Sequence, residues 1–371
     1  MKVHVLFCVA ALALCAACKP KQAPSRPAVA LVEAVAADTS GLGKLAARAG
    51  HGNVQGSVAL IGEPRDGMLL SRRFMSADLL DNIDGRSVRD SLPDFAGESF
   101  DVILDAYNAP YSHFFVGGPD AALRLDSLRT AAVRNALFAW DSTCFRTSDL
   151  ESVAIKSRAK ILVFTSAVQA EYGLFDVDTL QQLTGGRSHI IAPMNVMLED
   201  ALSSGARNLA VWTSRDIRAS QAWQTVFGRM KETGASLSVI SPESALDSRT
   251  ELRDVLRQYR STGRALDVLL VDSYSVDLPP ILSELEMIRR GGTDEDAALG
   301  KMLSEQFRIV DASGAVLRAT YQLLRQENLF THRIARPYVR YYETVEGIDG
   351  SAALVEVGAA YAQNAYVPDI H

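Results

Sequence analysis

Short apolar runs alternate with longer amphipathic segments over most of the chain. Apolar runs predict strands at 57–62, 100–106, 160–166, 189–193, 208–214, 236–242, 267–273 and 307–313. Between several of them, apolar residues recur at spacings of three and four, as in 222–234 and 250–263. Both of these segments end in Gly, a residue that commonly stops a helix. Strands that alternate with helices in this way predict parallel sheets covered by helices on both faces.

One sequence pattern occurs twice, as "DVILDAYNAP" at 101–110 and as "DVLLVDSYSV" at 267–276. Each copy has an Asp, an apolar run, a second Asp, a small residue and a Tyr. Two facing lobes would each need a strand whose carboxyl end presents polar and aromatic groups. The repeat therefore predicts an α/β protein with two doubly wound parallel-sheet lobes that face a shared cleft. The predicted boundaries are 57–190 with 315–371 for lobe 1 and 191–314 for lobe 2; chance recurrence of a common strand pattern is the alternative.

Polar residues directly after the apolar runs are the candidates for a binding site, because ligands of such sheets lie outside the carboxyl ends of the strands. With neighbouring aromatic residues, the predicted ligand-binding set is Tyr107, Asn108, Thr165, Ser166, Asn195, Trp212, Thr213, Ser214, Asp272, Ser273 and Tyr274. Tyr111 is a further aromatic candidate. Glu63 and Asp66 follow an apolar run in the same way but are outside this set.

The N-terminal segment "MKVHVLFCVAALALCAACKP" has one Lys and then an apolar stretch from Val5 to Ala17. That stretch is too short to span a bilayer as a stable helix and is typical of a secretory signal peptide, which we place at 1–17. The chain that follows Cys18 is rich in Pro, Lys and Ala, as in "KPKQAPSRPAVA". This composition predicts an extended tether, and we assign 18–56 to it. For its second part, 31–50, a short amphipathic helix is the alternative.

The end of the signal, "LCAAC", resembles the lipobox of bacterial lipoproteins, in which the Cys at the cleavage point is diacylated. The resemblance implies that Cys18 carries acyl chains such as palmitate and anchors the protein in the cell envelope, facing the periplasm or the cell surface. Cys15 stands where the family usually has an aliphatic residue, so a plain signal peptide or an uncleaved anchor is the alternative. Cys144 is then the one thiol left in the mature chain, and we interpret it as a half-buried apolar residue.

Composition and charge narrow the classes of partner. The 371 residues are 48% apolar and 22% charged, which is typical of a globular chain of about two domains. The net charge of −6 and the absence of Lys/Arg runs longer than a pair argue against a nucleic-acid partner. The six His have no metal-ligand spacing, and the sequence has no Gly-rich phosphate loop or nucleophile elbow. We predict no cofactor, no metal and no catalytic residue.

Residues 189–320 resemble the second lobe of type I periplasmic binding proteins. A Gly-Ala pair and a basic residue lead into a strand, a polar loop, a helix ending in Gly, a second strand, and a helix before "DVLLV". Residues 57–166 share the pattern alone. The resemblance implies a hinged pair of lobes that binds a small molecule without chemistry. Our main hypothesis is a membrane-anchored lipoprotein that binds a small polar ligand between its lobes, and a membrane protein partner is left open.

A second resemblance is to the aspartate/glutamate racemases. "AYNA" at 106–109 is similar to their first catalytic strand end, and "DVLLVDSYSVDLPPIL" at 267–282 is similar to their second. Those enzymes move a proton with two Cys, whereas Tyr107 and Ser273 stand at the matched positions and are poor bases. The resemblance implies the fold and the place of the site and argues against that activity. A racemase-like enzyme with substituted catalytic residues and a structural lipoprotein with a vestigial cleft are the alternatives.

Overall fold

Two separate β-sheets organise the chain in the computed structural model, which describes residues 26–115, 120–230, 234–243, 247–331, 333 and 335–368. One sheet has eight strands and the other has four strands. Helices pack against both sheets, so the predicted α/β class with two lobes is confirmed. The predicted signal peptide and Cys18 lie outside the described residues.

The strands are numbered in chain order. Those of the larger sheet are β1 (Ser57–Gly62), β2 (Ser99–Leu104), β3 (Thr143–Phe145), β4 (Val153–Ile155), β5 (Ala159–Phe164), β6 (His189–Ile191), β11 (Tyr338–Glu346) and β12 (Ala352–Val357). Those of the smaller sheet are β7 (Asn208–Trp212), β8 (Ser236–Ile240), β9 (Leu266–Val271) and β10 (Leu303–Asp311). All eight predicted strands are present, with boundaries shifted by a few residues. The short strands β3 and β4 and the strands β11 and β12 are not among these eight runs.

The helices are α1 (Ala30–Ala37), α2 (Leu42–Ala47), α3 (Pro64–Met75), α4 (Ala121–Trp140), α5 (Ala167–Thr184), α6 (Pro193–Ser203), α7 (Arg215–Ser220), α8 (Ala222–Met230), α9 (Ser248–Arg260), α10 (Leu278–Arg290), α11 (Asp294–Gly300), α12 (Ala312–Gln326) and α13 (Ala359–Tyr366). A 3-10 turn covers Tyr111–Phe115. No helix in the described part of the chain is both long enough and apolar enough to cross a membrane.

The larger sheet has the order β4-β3-β12-β11-β2-β1-β5-β6. Its centre is parallel, because β1 pairs in parallel with β2 and with β5, and β2 pairs in parallel with β11. Successive residues of β1 enter different apolar clusters: Val58 and Leu60 join one, and Ala59 and Ile61 join the other. This alternation follows from the two-residue period of a strand and shows that both faces of the sheet are covered. We call this sheet and its helices lobe 1.

The smaller sheet has the order β10-β9-β7-β8, and every pair in it is parallel. We call this sheet with α7 to α11 lobe 2. Leu209 and Val211 of β7 enter the same apolar cluster as Val58 and Leu60 of lobe 1. The opposite face of β7 packs in a separate cluster of lobe 2. The two lobes are therefore joined by a continuous apolar core, to which α6, α8 and α12 contribute.

The segment assigned to a tether differs from that expectation in its described part, 26–56. Helices α1 and α2 pack against lobe 1, with Val32 and Ala46 fully buried. The backbone N–H of Val29 donates to Oδ1 of Asp176 over 3.0 Å, and Nε of Arg129 donates to Oδ2 of the same carboxylate over 2.8 Å. The tether prediction rested on composition alone and did not include this packing, because the residues that Val29 contacts lie more than a hundred positions away in the sequence.

Candidate functional site

A cavity of about 220 Å³ lies between the lobes, at the carboxyl ends of β1, β5, β7 and β9. The side chains from lobe 1 that line it include Glu63, Asp66, Tyr111, Ser112, Phe115 and Thr165. Those from lobe 2 are Ser214, Asp216, Ile217, Asp272, Ser273 and Tyr274. This is the position at which parallel sheets commonly bind ligands.

The wall from lobe 1 is formed where β1 runs into α3. Glu63 follows the strand, and Asp66 lies in the first turn of the helix, where the helix dipole favours an acidic residue. Oε1 of Glu63 accepts a hydrogen bond from the backbone N–H of Tyr111 over 2.7 Å. Gly62 has a φ of +154°, and a Cβ at this position would lie 2.2 Å from Oγ1 of Thr165. Glycine is therefore required for the close approach of the two strand ends.

Asp105 holds Tyr111, an aromatic residue of the cavity lining, in place by a hydrogen bond. This carboxylate follows β2, is fully buried, and accepts hydrogen bonds from Oη of Tyr111 over 2.7 Å and from Nδ2 of Asn108 over 2.8 Å. Oγ1 of Thr344 donates to it over 2.9 Å. Burial, followed by the Asp105 charge, raises the pKa of Tyr111 well above its ordinary value. Tyr111 is therefore held in one orientation as a protonated phenol.

The wall from lobe 2 is formed at the end of β9. Oδ2 of Asp272 accepts hydrogen bonds from Oγ1 of Thr213 over 2.9 Å and from Nε1 of Trp223 over 2.6 Å. Tyr274 is 5% exposed, and its hydroxyl has no hydrogen-bond partner among the described residues. Ser273 lies between them, and its hydroxyl is 2.9 Å from that of Ser275.

Three carboxyl groups of this cavity, those of Glu63, Asp66 and Asp272, have raised pKa values. Loss of water raises the pKa of Asp66 well above its ordinary value, and the charges of Glu63 and Asp272 raise it further. Burial also raises the pKa of Glu63 and of Asp272, which the hydrogen bonds they accept oppose. None of the described residues that line the cavity is Lys, Arg or His. The cavity is therefore an acidic site with no cation of its own in the described structure.

Five residues of the predicted ligand-binding set lie together in the cavity wall: Thr165, Ser214, Asp272, Ser273 and Tyr274. Thr213 contacts the site indirectly, since it donates to Asp272. Asn108 donates to Asp105, in a layer behind Tyr111. The side chain of Tyr107 is directed elsewhere, because its hydroxyl donates to the carbonyl of Gly350 over 2.9 Å.

The remaining predicted residues lie outside the described lining. Trp212 is 3% exposed and packs inside lobe 2, Ser166 is buried directly before α5, and Asn195 is half-buried in α6. The predicted set had left out lining residues that the structure brings in: Glu63, Asp66, Ser112, Phe115 and Asp216. Glu63 and Asp66 carried the same sequence signal as the candidates that line the cavity, because they come shortly after β1. Tyr111, the further aromatic candidate, lines the cavity as well.

In the described part of the chain, no group of three or more His, Cys, Asp or Glu side chains is placed to hold a metal ion. Comparisons with protein families and with curated sequences give no match. Solved structures similar to this chain include glutamate racemases and an aspartate racemase.

The glutamate racemase isoform RacE1 from Bacillus anthracis is 13% identical, with a TM-score of 0.48, over 80% of this chain and 90% of that one. The glutamate racemase from Francisella tularensis in complex with D-glutamate is 13% identical, with a TM-score of 0.48, over 80% and 91%. The aspartate racemase from Picrophilus torridus is 11% identical, with a TM-score of 0.37, over 74% and 99%. At these values the similarity assigns no activity to this chain.

Proposed function

We propose that this protein binds a small polar molecule in the cavity between its lobes, without transforming it. The observation that supports this proposal is the composition of the cavity wall, to which the strand ends of both sheets contribute polar side chains. Asp66 comes from lobe 1 and Asp272 from lobe 2. A concave site with convergent polar groups at a boundary between lobes is typical of small-molecule recognition.

An unpaired polar group of the wall gives this binding an energetic reason. Asp66 is half-buried in the lining, and the hydroxyl of Tyr274 is buried without a partner among the described residues. A polar group that is buried without a partner costs about 1–3 kcal/mol. A ligand that supplies the missing hydrogen-bond partner recovers part of that cost, and this favours the occupied cavity over the empty one.

The second part of the proposal concerns location. Lipidation of Cys18 would attach the protein to a membrane of the cell envelope, since two or three acyl chains anchor a protein stably. The described domain begins at Arg26. The chain between these two residues spans at most roughly 28 Å. The domain would therefore work close to the membrane surface, where it would receive its ligand from the surrounding compartment.

Native mass spectrometry of protein purified from its own cell tests the binding. We expect a small molecule to be retained by the wild type and by Glu305→Gln, which changes an exposed carboxylate outside the cavity. Asp272→Asn should lose the molecule. The proposal fails if nothing is retained and if amines, amino acids and sugars all leave hydrogen exchange of the cavity segments unchanged.

An enzyme of racemase-like fold is the second candidate function. It is favoured by one observation: Asp66 and Asp272 face the same cavity from opposite lobes, and both carboxyls have raised pKa values. Such groups act as general acids and bases. Of the two matched racemase positions, Ser273 lines the cavity and Tyr107 does not. Deuterium uptake at the α-carbon of an amino acid in D2O, followed by NMR, would establish enzymatic activity. It would contradict the proposal that the ligand is bound without being transformed.

A further inference from the structure

We propose that the ligand of this cavity is a small organic cation, a primary amine on an aliphatic body, held between Asp66 of lobe 1 and Asp272 of lobe 2. This inference rests on the proposed binding function, because it names the chemical class of the molecule that fills the same cavity. It differs in charge from the amino dicarboxylate that accompanies one of the similar structures, where the bound molecule is D-glutamate.

The charge of the wall is the first argument. Four carboxyl groups line the cavity: Glu63, Asp66, Asp216 and Asp272. Arg65 is the basic neighbour that acts on Asp66, but it is exposed and is not part of the described lining. An anionic ligand would meet uncompensated like charges in a partly dehydrated site, whereas a cation is attracted by the same groups.

The hydrogen-bonding capacity of the wall is the second and independent argument. The hydroxyl of Tyr274 is buried without a described partner and lies in the lining beside Asp66 and Asp272. The four ionised carboxylates only accept hydrogen bonds, whereas the hydroxyl of Tyr274 both donates and accepts them. The carboxylates therefore require donors, and the Tyr274 oxygen is a further acceptor beside them. An ammonium group carries three N–H donors and no acceptor, which complements these carboxylates.

The size and the apolar part of the wall limit the rest of the ligand. Phe115, Val168 and Ile217 line the cavity together with the acidic groups. An aliphatic chain packs against such residues, and an aromatic ring attracts a cation. The cavity volume is about 220 Å³. This corresponds to a molecule of several non-hydrogen atoms, since one water occupies roughly 30 Å³ in the liquid. Putrescine, a four-carbon diamine, is a suitable probe.

The titration of the carboxyls supports the same conclusion. Burial and the neighbouring acidic charges raise the pKa of Asp66, and burial raises that of Asp272. A bound ammonium stabilises the ionised form of both groups and lowers both pKa values. Protons are then released on binding, and the affinity for an amine increases with pH while the amine remains charged.

Isothermal titration calorimetry on protein freed of ligand by unfolding and refolding tests the inference with three probes: putrescine, glutamate and glucose. We expect putrescine alone to bind, with release of protons and with tighter binding at pH 8 than at pH 6. Asp66→Asn should weaken the binding of putrescine at least tenfold, and the exposed control Glu305→Gln should leave it unchanged.

Tyr274→Phe provides a second variant if Asp66→Asn does not fold. It removes only the unpaired hydroxyl, so we expect weaker putrescine binding, by about tenfold, without a lower melting temperature. The cation inference is wrong if glutamate or glucose binds and putrescine does not, or if the co-purified ligand has no basic nitrogen. Either result still supports the proposed binding function. If no probe binds and no molecule co-purifies, both proposals fail.

Discussion

Nε1 of Trp223 donates a hydrogen bond to Oδ2 of Asp272 over 2.6 Å. Trp223 is fully buried in α8, in the apolar core that the two lobes share, whereas Asp272 faces the cavity. This bond joins the folding core directly to the candidate site, because the same indole that fills the core also orients a carboxylate of the cavity wall.

Trp223→Phe should therefore affect both folding and binding. The Phe ring keeps part of the packing but removes the donor, so Asp272 loses one of the two hydrogen bonds that oppose the rise of its pKa. We expect the free energy of unfolding, measured by urea denaturation, to fall by about 1–3 kcal/mol. Thr213→Val removes the other donor and should weaken ligand binding in the same direction. Unchanged binding in both variants would show that neither bond orients Asp272.

Asp66→Asn should change how stability depends on pH. An acid with a higher pKa in the folded protein adds stability that is fully present below its unfolded pKa, about 3.9 for Asp, and is lost as the pH rises through the folded pKa. Burial raises the pKa of Asp66, and the charges of Glu63 and Asp272 raise it further. Arg65 lowers it, and Tyr274 also interacts with this carboxyl.

The ligand-free wild type should thus lose stability relative to Asp66→Asn as the pH rises from 4 toward 8. Urea denaturation at several pH values measures the difference between the two proteins, in which the contributions of titrating groups that do not interact with Asp66 cancel. A constant difference over this range would mean that Asp66 titrates as an ordinary exposed Asp.

Gly62→Ala should disturb the site by forcing β1 and β5 apart. A Cβ at this position would lie 2.2 Å from Oγ1 of Thr165, and the φ of +154° is one that L side chains rarely adopt. We expect a loss of about 1–3 kcal/mol in the free energy of unfolding. Gly358→Ala is the matched control, since a Cβ there meets nothing within 4 Å. Equal melting temperatures for the two variants would contradict the required close approach.

Cys144 should be unreactive in the folded protein. Its thiol is buried, and burial raises its pKa to about 11, so the thiolate is scarce at pH 8. A thiol reagent should label the mature protein only after denaturation, and then once per chain. Two labelled thiols would mean that Cys18 is unmodified, and labelling of the folded protein would mean that Cys144 is accessible.

Cys18→Ala tests the anchor separately. If Cys18 carries the lipid, the variant should leave the membrane fraction or accumulate as uncleaved precursor, as judged by detergent phase partitioning and intact mass. Cys144→Ala is the control and should remain in the detergent phase. The lipoprotein hypothesis is wrong if the Cys18→Ala protein has the mature size and still enters the detergent phase.

The sequence predicted best what depends on local pattern. All eight apolar runs became strands, and in five of them, β1, β2, β5, β7 and β9, the Val, Ile and Leu residues are buried on both faces of the sheets. Asp272 and Tyr274 reached the cavity because they follow β9 directly. Tyr107 follows β2 in the same way, yet its orientation is set by Gly350 and Thr344, more than two hundred residues away. No local pattern carries such contacts, and the same holds for the packing of α1 against α5.

The apolar core that joins Val58 of lobe 1 to Leu209 of lobe 2 couples the folding of the two lobes. Neither lobe completes that core alone, so a cut between them would expose the faces of both sheets and leave two halves prone to aggregate. The pair should melt as one cooperative unit, with a single calorimetric transition whose enthalpy corresponds to the whole domain. For the same reason the width of the cavity is established when the chain folds, so a ligand of the proposed kind would meet a site whose shape is already set.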